Sequence, residues 1–150
     1  MKKMNFVFFV VIFSLLTAGY ANALCVSAQK ASLRSGPGTN YGIAWEIYKY
    51  IPVVKVGVSL SGEWYAVSDV DGDVNWVHKN MVTSKYKCAV VDADEVNVRT
   101  GPGMNYSKSP LSPAKKYYSF KVLNKKGQWV KVKDEWGNAG WIHRNFLWIR

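Results

Sequence analysis

The sequence predicts an all-β chain built from two tandem copies of one small domain. The first observation is a repeat, because residues from position 34 onward recur 65 positions later along the chain. The second is the alternation of apolar and polar residues in short runs, which is typical of strands with one buried face. The third is composition, since Val, Gly and aromatic residues are frequent and no helical period extends beyond a turn.

The first 23 residues are predicted to be a secretory signal peptide and not part of the fold. Two lysines near the start precede an apolar run at 6–16, and small residues at 21 and 23 form a cleavage site. A retained membrane anchor is disfavoured by the shortness of the run, and a lipoprotein by the bulky Leu24 before Cys25. We therefore expect an exported protein, periplasmic or secreted, of 127 residues with no stable membrane span after cleavage.

Charge is distributed unevenly between the two copies. Residues 24–84 carry five Lys/Arg and five Asp/Glu, whereas residues 85–150 carry thirteen against five, a net charge of +8. A basic half in an exported protein favours an anionic partner at the cell envelope, such as a wall polymer or a lipid head group, over nucleic acid. A basic surface that serves only solubility explains the same charge equally well.

A Gly-Pro-Gly turn at the end of a short strand marks the start of each repeat. The copies read Arg34-Ser35-Gly36-Pro37-Gly38-Thr39-Asn40-Tyr41 and Arg99-Thr100-Gly101-Pro102-Gly103-Met104-Asn105-Tyr106. Because Pro fixes φ and Gly tolerates positive φ, we expect a sharp turn that is closed by the tyrosine. Arg34 and Arg99 stand at strand ends, so we expect their guanidinium groups to brace the turn through its carbonyls in preference to holding ligand.

The strands of each copy follow from alternation and turn signals. They are predicted at 25–28, 53–58, 64–68, 75–78 and 81–82 in the first copy, and at 88–91, 120–123, 129–133, 140–143 and 146–148 in the second. Five short strands without helices predict a small barrel or sandwich in each copy. The join at 83–85 is short, so we expect the two copies to lie close together and to share an interface.

Three motifs resemble the bacterial SH3 domain family. They are Arg-x-Gly-Pro-Gly-x-Asn-Tyr, Gly-x-Trp-x-x-Val and Gly-x-x-x-Trp-[Val/Ile]-His, and they cover nearly all of the chain after residue 23 twice. The resemblance implies two tandem five-stranded SH3-like barrels, at 24–84 and 85–150, of a kind used as cell-wall or protein-binding modules. The first copy departs in having Asn75 for Gly140, and Asn is the next most tolerant residue at positive φ. The segment 112–116 also differs from its counterpart, so the copies need not share a ligand.

Catalysis and metal binding are not supported by the sequence. His78 and His143 are equivalent positions of separate copies, and no third group is evident to orient a Cys–His pair. Neither Cys-x-x-Cys nor His-x-x-x-His spacing occurs. We therefore expect no enzymatic activity, no metal and no cofactor.

Two interpretations of the cysteines remain open. An even count in an oxidising compartment favours a Cys25–Cys88 disulfide, which would fasten the opening strands of the two copies together. The near equivalence of the two positions favours instead two buried thiols, each filling the same core position of its own copy.

Alternation also divides the aromatic residues into an inner and an outer set. In the strand at 129–133, Val130 and Val132 share one face, while Trp129 shares the other with two lysines. If the valine face is the core, the tryptophans border a groove where stacking and hydrogen bonding hold a ligand. The tentative ligand-binding residues are Tyr41, Trp64, Trp76, Tyr106, Trp129, Trp136 and Trp141.

The tryptophans are not equal candidates for that role. For Trp76 and Trp141, burial under a loop is the favoured interpretation, because aromatic residues are mostly buried. For Trp64 and Trp129 burial and ligand contact remain equally open, and Trp136, in a turn, is expected to be fully exposed.

The expected function is a non-catalytic module that binds the cell envelope, recognising peptidoglycan or its peptide stems, with the lysines of the second copy steering it to anionic material. One alternative is an adaptor that binds an envelope or host protein. Another is a structural accessory whose barrels pack on each other and hide both grooves. The expected partner is thus a cell-wall polymer or an envelope protein and not nucleic acid, and a fold signature alone does not name the ligand.

Overall fold

The computed structural model describes residues 22–150, which form two β-rich units. We call residues 22–84 unit one and residues 85–150 unit two. Unit one contains β1 (Ala23–Val26), β2 (Lys30–Arg34), β3 (Ile43–Tyr48), β4 (Pro52–Val58), β5 (Trp64–Ser68), β6 (Val74–His78) and β7 (Val82–Thr83). Unit two contains β8 (Cys88–Val91), β9 (Glu95–Val96), β10 (Ala114–Lys115), β11 (Ser119–Lys126), β12 (Trp129–Lys133), β13 (Ala139–His143) and β14 (Leu147–Ile149). A 3₁₀ turn, Lys79–Met81 or Arg144–Phe146, precedes the last strand of each unit.

Nearly all of the predicted signal peptide lies outside the described residues. Its last two positions are described, and they belong to the start of unit one: the Asn22 carbonyl accepts a hydrogen bond from the Lys55 amide at 2.8 Å, and Ala23 pairs with Val54. Cleavage at the predicted site would leave β1 beginning at Leu24. Over positions 22–150 we find no helix with the length and apolar character needed to cross a membrane.

The all-β prediction with two tandem units is confirmed, although the sheets do not close into the expected barrels. Unit one forms one antiparallel sheet in the order β3-β2-β6-β5-β4-β1-β7, whose edge strands β3 and β7 do not pair with each other. Unit two forms a sheet in the order β13-β12-β11-β8-β14 and a separate β10-β9 ribbon. Each unit thus has seven strands in place of the expected five, and neither sheet closes.

The segment after the Gly-Pro-Gly turn accounts for the difference between the units. In unit one it returns along β2 as the six-residue strand β3, which the sequence analysis did not predict. The counterpart in unit two, residues 108–113, contains Pro110 and Pro113. Because proline has no N–H to donate, the segment cannot form a ladder along its length. It pairs through a single bridge between Lys108 and Arg99, and the short β10 that follows it pairs with β9.

The valine face of each sheet is the core, as alternation predicted. Val67 and Val77 are fully buried in unit one, as are Val132 and Ile142 in unit two. Phe120 is the largest fully buried side chain among the described residues and belongs to the core of unit two. Burial of each such side chain contributes roughly 1.5–3 kcal/mol, which makes these inner faces the main source of stability for each unit.

Each Gly-Pro-Gly turn is held by its arginine and its tyrosine. Arg34 Nη1 donates to the Tyr41 carbonyl at 2.7 Å and to the Thr39 carbonyl at 3.2 Å. In unit two, Arg99 Nη1 donates to the Tyr106 carbonyl at 2.8 Å. The guanidinium groups therefore close the turns from the side of the preceding strand.

Glycine was expected in these turns because it tolerates positive φ, and this expectation is wrong. The glycines are required there because the tyrosine ring packs directly against them. The glycines with positive φ are Gly62, Gly72, Gly127 and Gly137, in the hairpin turns. A Cβ on Gly36 or Gly101 would instead overlap the ring of Tyr41 or Tyr106. Gly140 likewise lacks positive φ, as does its counterpart Asn75, and a Cβ there would overlap the Val98 side chain. Tyrosine rings and a valine methyl group occupy the space that a side chain would need.

A seam of specific contacts joins the two units. Cys25 and Cys88 form a disulfide with a Cα–Cα distance of 5.9 Å, and both residues are buried. The rings of Tyr50 and Tyr86 pack edge to face beside it, with centroids 5.7 Å apart. Burial raises the pKa of the Tyr86 hydroxyl. The disulfide thus lies within a small apolar cluster to which both units contribute.

Two hydrogen bonds extend the seam beyond this cluster. Ser119 Oγ donates to the Lys49 carbonyl at 2.8 Å, and the Tyr117 hydroxyl donates to Asp71 Oδ2 at 2.8 Å. The bond to Asp71 raises the pKa of Tyr117. These contacts fix one orientation of unit two on unit one, as the short join between the copies predicted.

We predict that Gly36→Ala destabilises the protein by about 1–3 kcal/mol, because the added Cβ displaces the Tyr41 ring. The matched control is Gly42→Ala in the same loop, where an added Cβ meets no atom within 4 Å. The control should change the free energy of unfolding by less than about 0.5 kcal/mol. Urea denaturation measures both values, and equal effects of the two substitutions would contradict this account of the turn.

We predict that Cys25→Ala/Cys88→Ala lowers the free energy of unfolding by roughly 2–4 kcal/mol, because the disulfide closes a loop of 63 residues. Reductant should destabilise the parent protein by a similar amount and leave the double variant unchanged. Thiol labelling of the denatured, unreduced protein provides the second measurement. Two free thiols per chain would show that the link between the units is absent.

Candidate functional site

A pocket of about 430 Å³ opens on unit two beside its Gly-Pro-Gly turn. Strand β9, the turn, the start of β12 and the 3₁₀ turn before β14 surround it. Its lining residues are Glu95, Val96, Asn97, Arg99, Met104, Trp129, His143, Asn145 and Phe146. Apolar and aromatic walls with a few polar groups at the rim are the usual composition of a ligand site.

Trp129 is positioned by its cross-strand neighbour His143. The two residues pair directly between β12 and β13, and their rings meet edge to face with centroids 5.5 Å apart. His143 in turn contacts Phe146 at 6.1 Å between centroids, and its Nδ1 accepts the Asn145 N–H at 3.3 Å. The histidine therefore caps the 3₁₀ turn with one nitrogen and supports the indole with its ring.

Unit one repeats this arrangement with different charges at the rim. Trp64 and His78 pack edge to face at 5.2 Å, and His78 Nδ1 accepts the Asn80 N–H at 3.3 Å. Glu63 lies beside them, 3.8 Å from His78 Nε2 and 2.6 Å from Lys79 Nζ. The hydrogen bond from Lys79 lowers the pKa of the Glu63 carboxyl, and the same bond raises the pKa of Lys79.

Unit two lacks the carboxylate of this cluster. Gln128 stands at the position of Glu63, and Arg144 stands at that of Lys79. Within the part of the chain that the structure describes, no carboxylate forms an ion pair with Arg144. The 3₁₀ turn that contributes Asn145 and Phe146 to the pocket therefore carries a cation whose counterpart in unit one is neutralised.

Arg99 both braces the turn and lines the pocket. Its Nη1 donates a hydrogen bond to the Tyr106 carbonyl. Its Nε is buried and has no hydrogen-bond partner among the described residues. Its backbone pairs with Trp141 through hydrogen bonds of 2.8 and 2.9 Å. The sequence favoured the bracing role for Arg99, because a strand-end position does not reveal that Arg99, Met104 and Trp129 line one pocket.

Of the seven tentative ligand-binding residues, Trp129 alone lines this pocket. Tyr41 and Tyr106 are 43% exposed but pack on the turn glycines. Trp76 and Trp141 are half-buried on β6 and β13, as is Trp64 on β5. Trp136 is 71% exposed, in the hairpin turn between β12 and β13 and outside the pocket lining.

The sequence analysis missed several residues of the site and one exposed surface. Met104 and Phe146 were not considered because a turn residue and a strand-end residue show no alternation pattern, although both lie next to repeated motifs. The missed strand β3 exposes Ile43, Trp45 and Tyr48, by 52%, 62% and 53%. It is an edge strand, so its outer backbone groups are also free to pair.

Few ionisable groups line the pocket. They are Glu95, Arg99 and His143, and the lining holds no Ser, Thr, Cys or Lys side chain. Across residues 22–150, no three His, Cys, Asp or Glu side chains group closely enough to hold a metal ion. The seam residues do not line the pocket, so the packing of the two units leaves it open.

Comparison with curated proteins finds one relative of note. The chain is 26% identical, over 147 residues, to a Bacillus subtilis (strain 168) protein provisionally named N-acetylmuramoyl-L-alanine amidase YrvJ. The match covers 90% of this chain but only 27% of the relative, so the chain spans about a quarter of that protein's length.

Solved structures give more distant likenesses. "Endolysin LysPBC5 CBD" is 16% identical with a TM-score of 0.34, and the match covers 85% of this chain and 93% of that one. A novel NlpC/P60 endopeptidase from Photobacterium damselae subsp. piscicida is 13% identical with a TM-score of 0.41, covering 91% and 35%. With TM-scores this low, these likenesses support no argument about function.

Each of the two repeats matches the model of a known domain family. The model of the bacterial SH3 domain matches the chain twice, at residues 27–83 and 92–148. The two matches together include most of the described residues, with one match in each unit. The chain therefore belongs to the bacterial SH3 domain family.

Proposed function

We propose that this protein is a non-catalytic module of the cell envelope that binds peptidoglycan, or its peptide stems, in the pocket of unit two. The family membership and the relative with an amidase name support a role at the cell wall. N-acetylmuramoyl-L-alanine is the junction between glycan and stem peptide, so the relative's name refers to this polymer. The proposal includes export, because peptidoglycan lies outside the cytoplasm.

The observation that carries the proposal is the composition of the pocket around Trp129. The indole, held by His143, offers a flat apolar surface, and Met104 and Phe146 extend it. Sugar rings and small peptide side chains stack on such surfaces, while their amide and hydroxyl groups need polar partners at the rim.

The charges at the rim fit the same ligand. Arg99 lines the pocket, and Arg144 belongs to the 3₁₀ turn that forms one wall and has no ion-pair partner among the described residues. Stem peptides carry carboxylates, which arginine recognises through paired hydrogen bonds. In unit one, the equivalent cation is engaged by Glu63. We therefore assign the binding role to unit two.

A second candidate function rests on β3. Its exposed Trp45, Ile43 and Tyr48 and its unpaired edge suit addition of an extended strand from an envelope protein. Binding of such a partner would be abolished by Trp45→Ala and unaffected by Trp129→Ala.

We predict that the protein is retained by purified peptidoglycan sacculi at moderate salt, and that Trp129→Ala reduces retention at least about tenfold through loss of the stacking surface. The measurement is the bound fraction after co-sedimentation. The matched control is Trp64→Ala, the equivalent residue of unit one, which should retain most of the binding. A second control is Trp136→Ala. It removes the most exposed of the seven candidate side chains, which lies outside the pocket.

Three outcomes would overturn the proposal. One is no retention of the parent protein at moderate salt. Another is retention that disappears at high salt and is unaffected by Trp129→Ala, which would reduce binding to bulk charge. The last is an equal loss for Trp129→Ala and Trp64→Ala, with both variants folded by circular dichroism.

A further inference from the structure

The outer face of the sheet in unit two carries a row of lysines that neither the pocket nor the core uses. Lys121 on β11 pairs directly with Lys133 on β12, and Lys131 lies two residues along β12 on the same face. All three side chains are half-buried, which places their stems across the sheet. We call these three residues the lysine row.

The lysine row is not balanced by acidic groups. Among residues 22–150, none of its members forms an ion pair, although the structure records such pairs for Lys30, Lys79 and Lys116. Like charges directly opposite on neighbouring strands destabilise a sheet. The Lys121–Lys133 pair therefore leaves an unfavourable interaction that an external anion would relieve.

Aromatic rings border the lysine row on two sides. Trp141 on β13 is the cross-strand partner of Lys131, and Trp129 stands two residues before Lys131 on β12. At the other end, Lys121 Nζ lies 4.8 Å from the Tyr86 ring centroid, at the seam with unit one. Cationic and aromatic side chains are thus interspersed on this face across β11, β12 and β13, and Lys121 connects them to Tyr86 at the seam.

The seam continues this pattern into unit one. Tyr86 packs against Tyr50, and Lys49 Nζ lies 5.5 Å from the centroid of the Tyr50 ring. The disulfide between the units lies in the same cluster as these tyrosines. Lys49 and Lys121 therefore each lie over one ring of this tyrosine pair.

The equivalent face of unit one lacks this charge. Val54 pairs with Ser68 as Lys121 pairs with Lys133, so Val54, Ala66 and Ser68 stand at the positions of Lys121, Lys131 and Lys133. The two sheets share their register at these positions, since Ala66 pairs with Trp76 as Lys131 pairs with Trp141. The lysine row is thus a property of unit two, as is the net charge of +8, since the charges of residues 24–84 sum to zero.

We propose that the lysine row binds a linear polymer with a phosphate in each repeat. Adjacent strands lie about 4.8 Å apart and alternate residues of one strand about 6.8 Å apart, so the three lysine side chains start from neighbouring points of the sheet and their ammonium groups can reach successive charges of an extended chain. The face is open, which favours a polymer over a small enclosed ligand, and lysine binds phosphate as a point charge. This surface adjoins the pocket proposed to bind peptidoglycan at Trp129, but none of the three lysines lines that pocket.

The test is binding of the full chain to long-chain inorganic polyphosphate, measured by calorimetry over a range of salt concentrations. The variant Lys131→Ala/Lys133→Ser places the unit-one residues in unit two. It should weaken binding about tenfold or more at low salt and make the salt dependence shallower by roughly one to two in log–log slope. Lys131→Gln/Lys133→Gln should give the same loss of affinity, and it replaces the first variant in the assay if that variant folds poorly.

The matched control is Lys108→Ala/Lys115→Ala, which removes two exposed lysines from outside this face with the same change in net charge. It should change affinity less than about threefold, since screening limits the reach of distant charges. Equal losses for the two double variants would overturn the proposal. So would tighter binding to heparin, or to phosphatidylglycerol vesicles, than to polyphosphate. The assay contains no peptidoglycan, so its failure would leave the proposed pocket function standing.

Discussion

The contact between a tyrosine ring and a glycine without a side chain organises each half of this molecule. Tyr106 lies where a Cβ of Gly101 would be, and its carbonyl accepts the hydrogen bond from Arg99. This fixes the turn against the end of the preceding strand. Met104 belongs to the same turn and lines the pocket together with Arg99. The element that identifies the repeat therefore also forms one wall of the candidate site.

The two units keep this frame and differ in what surrounds it. The Trp–His pair and the capped 3₁₀ turn recur in both units. The units differ at three places. Gln128 replaces Glu63 just before β12, lysines replace the buried Ala66 and the half-buried Ser68 on the outer face, and a proline-containing segment replaces β3. Each unit therefore presents a different surface on the same fold. The seam holds the two surfaces in one orientation.

The repeats, the valine core and the strands at 64–68 and 129–133 could all be predicted from the sequence, because a fixed spacing indicates a duplicated unit and strict alternation indicates a strand with one buried face. Strand β3 could not, since five of its six residues are exposed, Ile47 alone is buried, and burial does not alternate along the strand. The role of the turn glycines was misjudged because positive φ and close approach favour the same residue. Nor could the pocket be derived, because Met104, Trp129 and Phe146 are brought together by strand pairing between distant segments.

The central claim is that ligand binds in the pocket of unit two and not at the equivalent place in unit one. It is tested most directly by NMR of the 15N-labelled protein during titration with a soluble muropeptide. The account predicts shifts of the Trp129 indole N–H and of amides lining the pocket, including those of Asn97, Met104 and Asn145, with the Trp64 indole unchanged. Shifts confined to β3, equal shifts of Trp64 and Trp129, or an unchanged spectrum at saturating muropeptide would contradict it.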